Sequence, residues 1–207
     1  MPFDVILFDI GGVLLTNSWD AHQRAAVAAA FHLDEAGLEA RHGGIFEAWE
    51  RGGITMDDYL DFTVFHEPRS FTRDQFVAAM LDQSKLLPDG AMDILRELSA
   101  SGGYLLGALN NESRELNDYR FRTFALRDCF DIALSSCYVG LRKPDPAMYR
   151  RAIDIVGRPP ERILFIDDRP ENVAGALNAG IAALHFTGKE ALRRQLAGLG
   201  ALSGAAG

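Results

Sequence analysis

Asp9 and the pair Asp167-Asp168 each follow directly on a short apolar run, and Lys143 is wedged between an arginine and a proline. Two adjacent carboxylates repel each other unless a cation sits between them. With Asp9 beside them they would make a hard oxygen cage suited to Mg²⁺, which takes few protein carboxylates and keeps waters for a substrate. Gly11 and Gly12 let the loop after Asp9 bring its backbone close to an anion. Asn110 and Asn111, at the end of another apolar run, offer amide donors. Lys143, one of three lysines in the chain, stands just before a proline-initiated helix, which would hold its ammonium near the strand ends as a fixed positive charge. Each of these residues also has a plainer role. Asp and Gly after a strand make turns, Asp in a first helical turn complements the helix dipole, and most lysines are solvated.

For these residues to meet, the chain must fold as an open parallel sheet with its strand ends on one side. Five short apolar runs, at residues 5–8, 104–109, 132–134, 163–166 and 181–184, are continuous and not alternating, as strands covered on both faces require. Helical patterns lie between the later runs. One starts at Asp145 as N-cap with Pro146 in first position, another spans 170–179, and a third spans 89–99 and ends at Gly102 and Gly103. Between the first run and that third helix, residues 20–31, 34–42, 55–65 and 72–84 read as helices, the last opening on a capping box of Thr72 and Gln75. The predicted fold is α/β, a doubly wound parallel sheet formed by residues 1–15 and 86–207, with residues 16–85 inserted as a helical cap. Residues 197–207, rich in Gly, Ala and Ser, are expected to fray.

The 207 residues are 48% apolar and 24% charged, with a formal charge of −8. That composition excludes disorder and coiled coil, and the scattered arginines form no basic patch for nucleic acid. An anionic substrate would have to be attracted locally, by a metal, a lysine or backbone amides. No apolar run approaches a membrane span, and the first residues lack a signal-peptide pattern, so a cytoplasmic protein is expected. Cys129 and Cys137 read as buried thiols. Phe46, Trp49, Tyr59, Phe62 and Phe65 recur at helical spacing and read as core of the inserted helices, while His22, His32 and His42, ten residues apart, lack metal-ligand spacing.

The order of four stretches, FDIGGVL, NNES, RKPDPAMY and FIDDRPENVAGALNAG, resembles the four motifs of the haloacid dehalogenase-like hydrolase superfamily, across the whole core. Receiver domains of response regulators combine similar residues, but with the acidic pair first and not last. The resemblance implies phosphoryl transfer from a small phosphorylated metabolite. Asp9 would attack phosphorus to give an aspartyl-phosphate, and Mg²⁺ would be held by Asp9, the Gly11 carbonyl and Asp168. Lys143 would hold Asp9 and the phosphoryl oxygens, Asp167 and Asn172 would act behind the metal, and Gly12, Asn110 and Asn111 would help bind phosphate. Two departures matter. Gly11 stands where phosphatases of the family carry a second Asp, the acid that protonates the leaving oxygen, and Asn110 stands where they carry Ser or Thr. The missing acid is worth about 10²–10⁴-fold in rate. A cap side chain such as Asp20, His22 or Glu47 could supply the proton, the substrate could need none, or catalysis could be weak. A sub-branch with the same DxG pattern includes sugar-phosphate phosphatases. A haloacid dehalogenase, which needs no metal, and a non-catalytic phosphate-binding protein stay open as alternatives, as does monomer or homodimer. The phosphonate-cleaving branch needs a cap lysine, and residues 16–84 contain none.

Overall fold

The computed structural model describes residues 2–17 and 19–202. Five parallel strands, β1 (Val5–Phe8), β2 (Leu105–Asn110), β3 (Ile132–Ser135), β4 (Ile163–Asp167) and β5 (Ala182–His185), lie in the order β3-β2-β1-β4-β5. The fold is the doubly wound α/β sheet expected. β2, β3, β4 and β5 each end one residue beyond the apolar run that announced them. Polar residues at the strand ends still pair, Asn110 with Ser135 and Asp167 with His185.

Side chains alternate across the sheet. Ile6, Phe8, Leu106, Leu164 and Ile166 point into one buried cluster, with helices α5 (Met92–Ser101) and α10 (Lys189–Gly198) over it. Val5, Leu7, Leu134 and Phe165 point into the other, under α8 (Pro146–Val156) and α9 (Pro170–Asn178), while the one-turn α7 (Ser136–Val139) follows β3. α8 begins at Asp145, whose side chain accepts from Ala147 N, with Pro146 at its first position, and α5 ends on left-handed Gly102. The expected fraying at 197–207 does not extend to its first residues. Ala201 and Leu202 are buried in the first cluster because Ala201 N donates back to Leu196 O, while 203–207 lie outside the described residues.

Between β1 and α5 the chain forms α1 (Ala21–Ala30), α2 (Glu35–Glu50), α3 (Met56–Thr63) and α4 (Arg73–Leu81). Their N-caps are Asp20, Asp34, Thr55 and Thr72, three of them in capping boxes. The four helices enclose a third apolar cluster, to which Leu116 of α6 (Arg114–Thr123) contributes from the sheet side. α2 does not stop at residue 42. It runs through Gly43 and Gly44 to Glu50, against roughly 1 kcal/mol per glycine of lost propensity, because Trp49 beyond them is buried and stacks on Tyr59 at 4.1 Å. Where the chain enters and leaves this layer, Thr16 N donates to Lys85 O and Thr16 Oγ1 to Gln83 O, fastening the two passages together.

A buried polar chain crosses the layer. Trp19 Nε1 donates to Tyr59 Oη at 2.7 Å, and that hydroxyl lies 2.9 Å from His42 Nδ1. Burial, helped by the nearby Arg24 charge and opposed by Glu39, pushes the His42 imidazole down to about 4. An unfolded histidine titrates near 6.5, so between pH 6.5 and about 4 the unfolded chain binds a proton that folded His42 refuses. Stability is therefore expected to fall as pH drops through that window. Urea midpoints of wild type should decline more steeply from pH 6.5 to 4.5 than those of His42→Gln; parallel declines would reject the assignment.

The tight approach of α8 and α9 gives a second expectation. A Cβ on Gly175 would lie 2.7 Å from the Tyr149 ring. Alanine gains about 1 kcal/mol in helix propensity, but overpacking against a fixed aromatic costs about 1–3 kcal/mol. Gly175→Ala should lower the urea midpoint, and an unchanged or raised midpoint would show that the helices can separate freely.

Candidate active site

In the order β3-β2-β1-β4-β5, the chain leaves β1 toward β2 on one side and returns to β4 on the other, so a crevice opens beyond the carboxyl ends of β1 and β4. Asp9 follows β1 and Asp167 ends β4, side by side, with Asp9 N donating to Ile166 O at 2.9 Å. Lys143 reaches them from the loop before α8. Its Nζ lies 2.6 Å from Asp167 Oδ2 and 3.0 Å from Asp9 Oδ2, with the side chain only 1% exposed. Asn111 fixes the base of that lysine, its Nδ2 donating to Lys143 O and its Oδ1 accepting from Lys143 N, both at 2.8 Å.

Asp167 is saturated. Beyond Lys143, its oxygens accept from Asn172 Nδ2 at 3.0 and 3.1 Å and from Arg169 N at 2.8 Å. Burial would raise its carboxyl, but Lys143 and these donors hold it below the ordinary carboxylate range. Asp9 differs. Burial pushes it up to about 7, Lys143 pulls against that, and Asp167 and Asp168 add to it. Burial alone would also lower the Lys143 ammonium, yet Asp9 and Asp167 outweigh that and leave it above the ordinary lysine value. Asp168 is raised by burial and by its neighbour Asp167.

Asp168 carries the feature that no internal contact explains, a buried Oδ1 without a hydrogen-bond partner among the described residues. Asp9, Asp167 and Asp168 each bring an oxygen within 4.8 Å of the others'. Gly12 makes room for this arrangement. It adopts φ +73°, and a Cβ there would overlap the Asp168 carboxylate. Three acidic groups, one orphaned oxygen and a space kept open by glycine fit a small divalent cation with oxygen ligands.

A cavity of about 420 Å³ lies between these strand ends and the first two helices of the inserted layer, α1 and α2. Asp9, Gly11, Asn111 and Lys143 line it from the sheet, and Trp19, His42, Phe46, Trp49 and Glu50 from the helices. The sequence-derived set divides on this geometry. Asp9, Asp167, Asp168 and Lys143 come together, with Gly11 and Gly12 in the loop beside them. Asn111 lines the cavity but spends its amide on Lys143. Asn110 does not reach it. Its side chain is buried, donating to Asn117 Oδ1 and accepting from Ser135 Oγ, because the strand extends through Asn110 and turns it under α6.

Of the proton donors considered from sequence, Asp20 lines the cavity with its carboxylate engaged as the α1 cap, while His22 and Glu47 lie outside the lining. Phe46 faces the cavity where a core position was expected, and Phe62 is 48% exposed. Sequence reading missed Glu50, Arg120 and Asn17. Asn17 Oδ1 lies 2.9 Å from where a Gly11 Cβ would be, so the place of the absent second acid is filled. Fully buried Arg120 pairs with Glu112 at 3.2 Å and donates to Thr16 O.

Comparison with known proteins places this geometry in a lineage. The chain is 29% identical over 172 residues to a flavin mononucleotide hydrolase of Arabidopsis thaliana, spanning 79% of this chain and 65% of that protein. It is 30% identical over 190 residues to a sesquiterpene phosphatase of Aspergillus oryzae, covering 89% and 90% of the two chains. Among solved structures, a HAD family enzyme of Bacteroides thetaiotaomicron superposes with TM-score 0.77 at 22% identity, over 95% of this chain and 99% of that one. A further structure of that enzyme, in complex with magnesium and inorganic phosphate, superposes with TM-score 0.72 at 23% identity, over 90% and 95%. Residues 3–180 match the family model of the haloacid dehalogenase-like hydrolases, and the chain belongs to that family.

Proposed function

We propose that this chain is a Mg²⁺-dependent phosphatase of a small phosphorylated metabolite, working through an aspartyl-phosphate on Asp9, with residues 16–85 as a cap over a core of 1–15 and 86–207. The observation that carries the reading is the Asp9 carboxylate held 3.0 Å from Lys143 Nζ beside the partnerless Asp168 oxygen. Relatives named as phosphatases or nucleotide hydrolases support it, as does the magnesium and phosphate complex of the Bacteroides enzyme.

Asp9, Asp168 and the Gly11 carbonyl would hold the ion, with Asp167 behind them. When bound, Mg²⁺ supplies charge neutralisation for the crowded carboxylates and for the phosphoryl oxygens. The chain's own residues do the rest. Asp9 attacks phosphorus as its P–O bond to the leaving oxygen breaks, and water then attacks the aspartyl-phosphate to release inorganic phosphate. Lys143, anchored by Asn111 and Asp167, keeps Asp9 in position and faces its charge, so no reorganisation is needed during the reaction. The helices above cover one side of the cavity and so reduce its exposure to water. A dehalogenase would leave the orphaned Asp168 oxygen unexplained.

Phosphate release from a panel of phosphomonoesters should require Mg²⁺ and stop with chelator. Asp9→Asn should lower kcat/KM by more than about 10³-fold with the fold intact. A panel with no release above blank, or chelator-resistant chloride release from a 2-haloacid, would reject the reading.

Gly12→Ala addresses the metal site without touching a ligand. The added methyl would meet the Asp168 carboxylate at a positive φ, so calorimetric Mg²⁺ affinity should fall by about tenfold or more. Unchanged affinity would mean that Asp168 does not bind the ion.

A further inference from the structure

We propose that Glu50, on the last turn of α2, is the group that gives a proton to the leaving oxygen and later takes one from the attacking water. This rests on the phosphatase reading and supplies the acid that Gly11 cannot. The placement comes from three contacts. Glu50 lines the cavity together with Asp9 and Lys143. Its Oε2 accepts from Arg142 Nε at 2.7 Å, and Arg142 is the residue next to Lys143. Its backbone carbonyl accepts from Ser136 Oγ at 2.6 Å, pinning the end of α2 to the sheet side.

The other oxygen, Oε1, has no protein partner among the described residues. Of the other acids on the wall, Asp20 is tied to the start of α1, accepting from Gln23 N at 3.0 Å, and Glu112 has both oxygens engaged, accepting from Ser113 N at 3.0 Å and from Arg120 at 3.2 Å. His42, held down to about 4, is a neutral ring with no proton to spare near neutrality. The charged groups that face Glu50 are Arg142 before α8, Arg169 at the start of α9 and Glu47 one turn back on α2. Burial raises the Glu50 carboxyl and outweighs the pull of Arg142, so its acid form is populated more readily than a solvated glutamate's.

The proton balance closes over one turnover. As Asp9 forms its bond to phosphorus and the ester P–O bond breaks, the Glu50 proton passes to the departing alkoxide, giving an alcohol. Water then attacks the aspartyl-phosphate and loses its proton to the Glu50 carboxylate. The P–O bond to Asp9 breaks, phosphate departs, and both side chains are restored.

Glu50→Gln keeps the size of the side chain and removes the proton. Kinetics should be compared on an alkyl phosphate, whose leaving group needs protonation, and on p-nitrophenyl phosphate, whose leaving group does not. The expected result is a loss of about 10²–10⁴-fold in kcat/KM on the alkyl ester, with p-nitrophenyl phosphate close to wild type. A burst of nitrophenol, one per site, should precede slow turnover as phosphorylated Asp9 accumulates. Glu47→Gln, which disturbs the other carboxylate on Arg142 and lies outside the cavity, should change neither substrate. Equal losses on both esters without a burst would make Glu50 a mere anchor for Arg142 and overturn the proposal, as would no loss on either. Failure of wild type to release phosphate from any ester overturns the phosphatase reading, and Glu50's role with it.

Discussion

The site is organised by one buried ammonium between two carboxylates. Lys143, Asp9 and Asp167 are all at least nine-tenths out of water, and in so dry a place the attraction of Lys143 opposes the burial that would neutralise its two partners. Truncating the lysine would leave two uncompensated acids, a change that in buried pairs typically costs about 3–5 kcal/mol. Even with Lys143 present the account does not balance. Three carboxylates face one ammonium, and the excess appears where the protein supplies the fewest donors. Asp167 takes Lys143, Asn172 and the Arg169 amide and stays low, whereas Asp9 is driven up to about 7 and Asp168 keeps a bare oxygen. The deficit of positive charge is localised on Asp9 and on Asp168, the group that faces Gly12.

The fold exists around that arrangement in a specific sense. A parallel sheet with a switch between β1 and β4 sets two strand ends beside each other, so the acids need no long side chains to meet. The lysine arrives from a third segment and is fixed at both ends. Its backbone is paired with Asn111 and its tip with the acids, while Asp145 and Pro146 start α8 immediately after it. A lysine ordinarily loses much rotamer entropy when pinned. Here the ammonium lies over the Phe165 ring, 5.1 Å from its centre, and has two ionic partners, so the pinned state is the favoured one.

What the sequence disclosed follows from which forces act locally. Continuous apolar runs are the signature of strands buried on both faces, and the carboxylates directly after them inherit the placement, so β1, β4, Asp9, Asp167 and Asp168 were legible. Lys143 was legible through Pro144 and Pro146, which restrict the backbone around it. α2 was not, because Gly43 and Gly44 are strong local signals against helix, and only burial of Trp49 against Tyr59 overrides them. Glu50 was lost with that extension. Asn110 was misplaced for a related reason: the end of an apolar run does not reveal whether the next residue still pairs, and Asn110 pairs with Ser135 and turns inward. α6 has buried Leu116, Asn117, Arg120 and Phe121 as its inner stripe, too polar a face to announce itself by hydrophobic period.

The four helices meet the sheet side through a particular kind of contact. Beside Leu116, many of the attachments among the described residues are polar: Met56 N and Trp49 Nε1 donate to Glu115, Ser136 Oγ to Glu50 O, and Arg142 to Glu47 and Glu50. Polar contacts separate at low net cost, since water replaces each partner, whereas an apolar seam of equal area would not reopen. The covalent connection is held by Thr16 and its bonds to Gln83 and Lys85. The charges around Asp9 belong wholly to the sheet side, and the helices add Trp19, His42, Phe46, Trp49 and Glu50 to the opposite wall, so the cavity is built from two halves joined mainly by polar contacts.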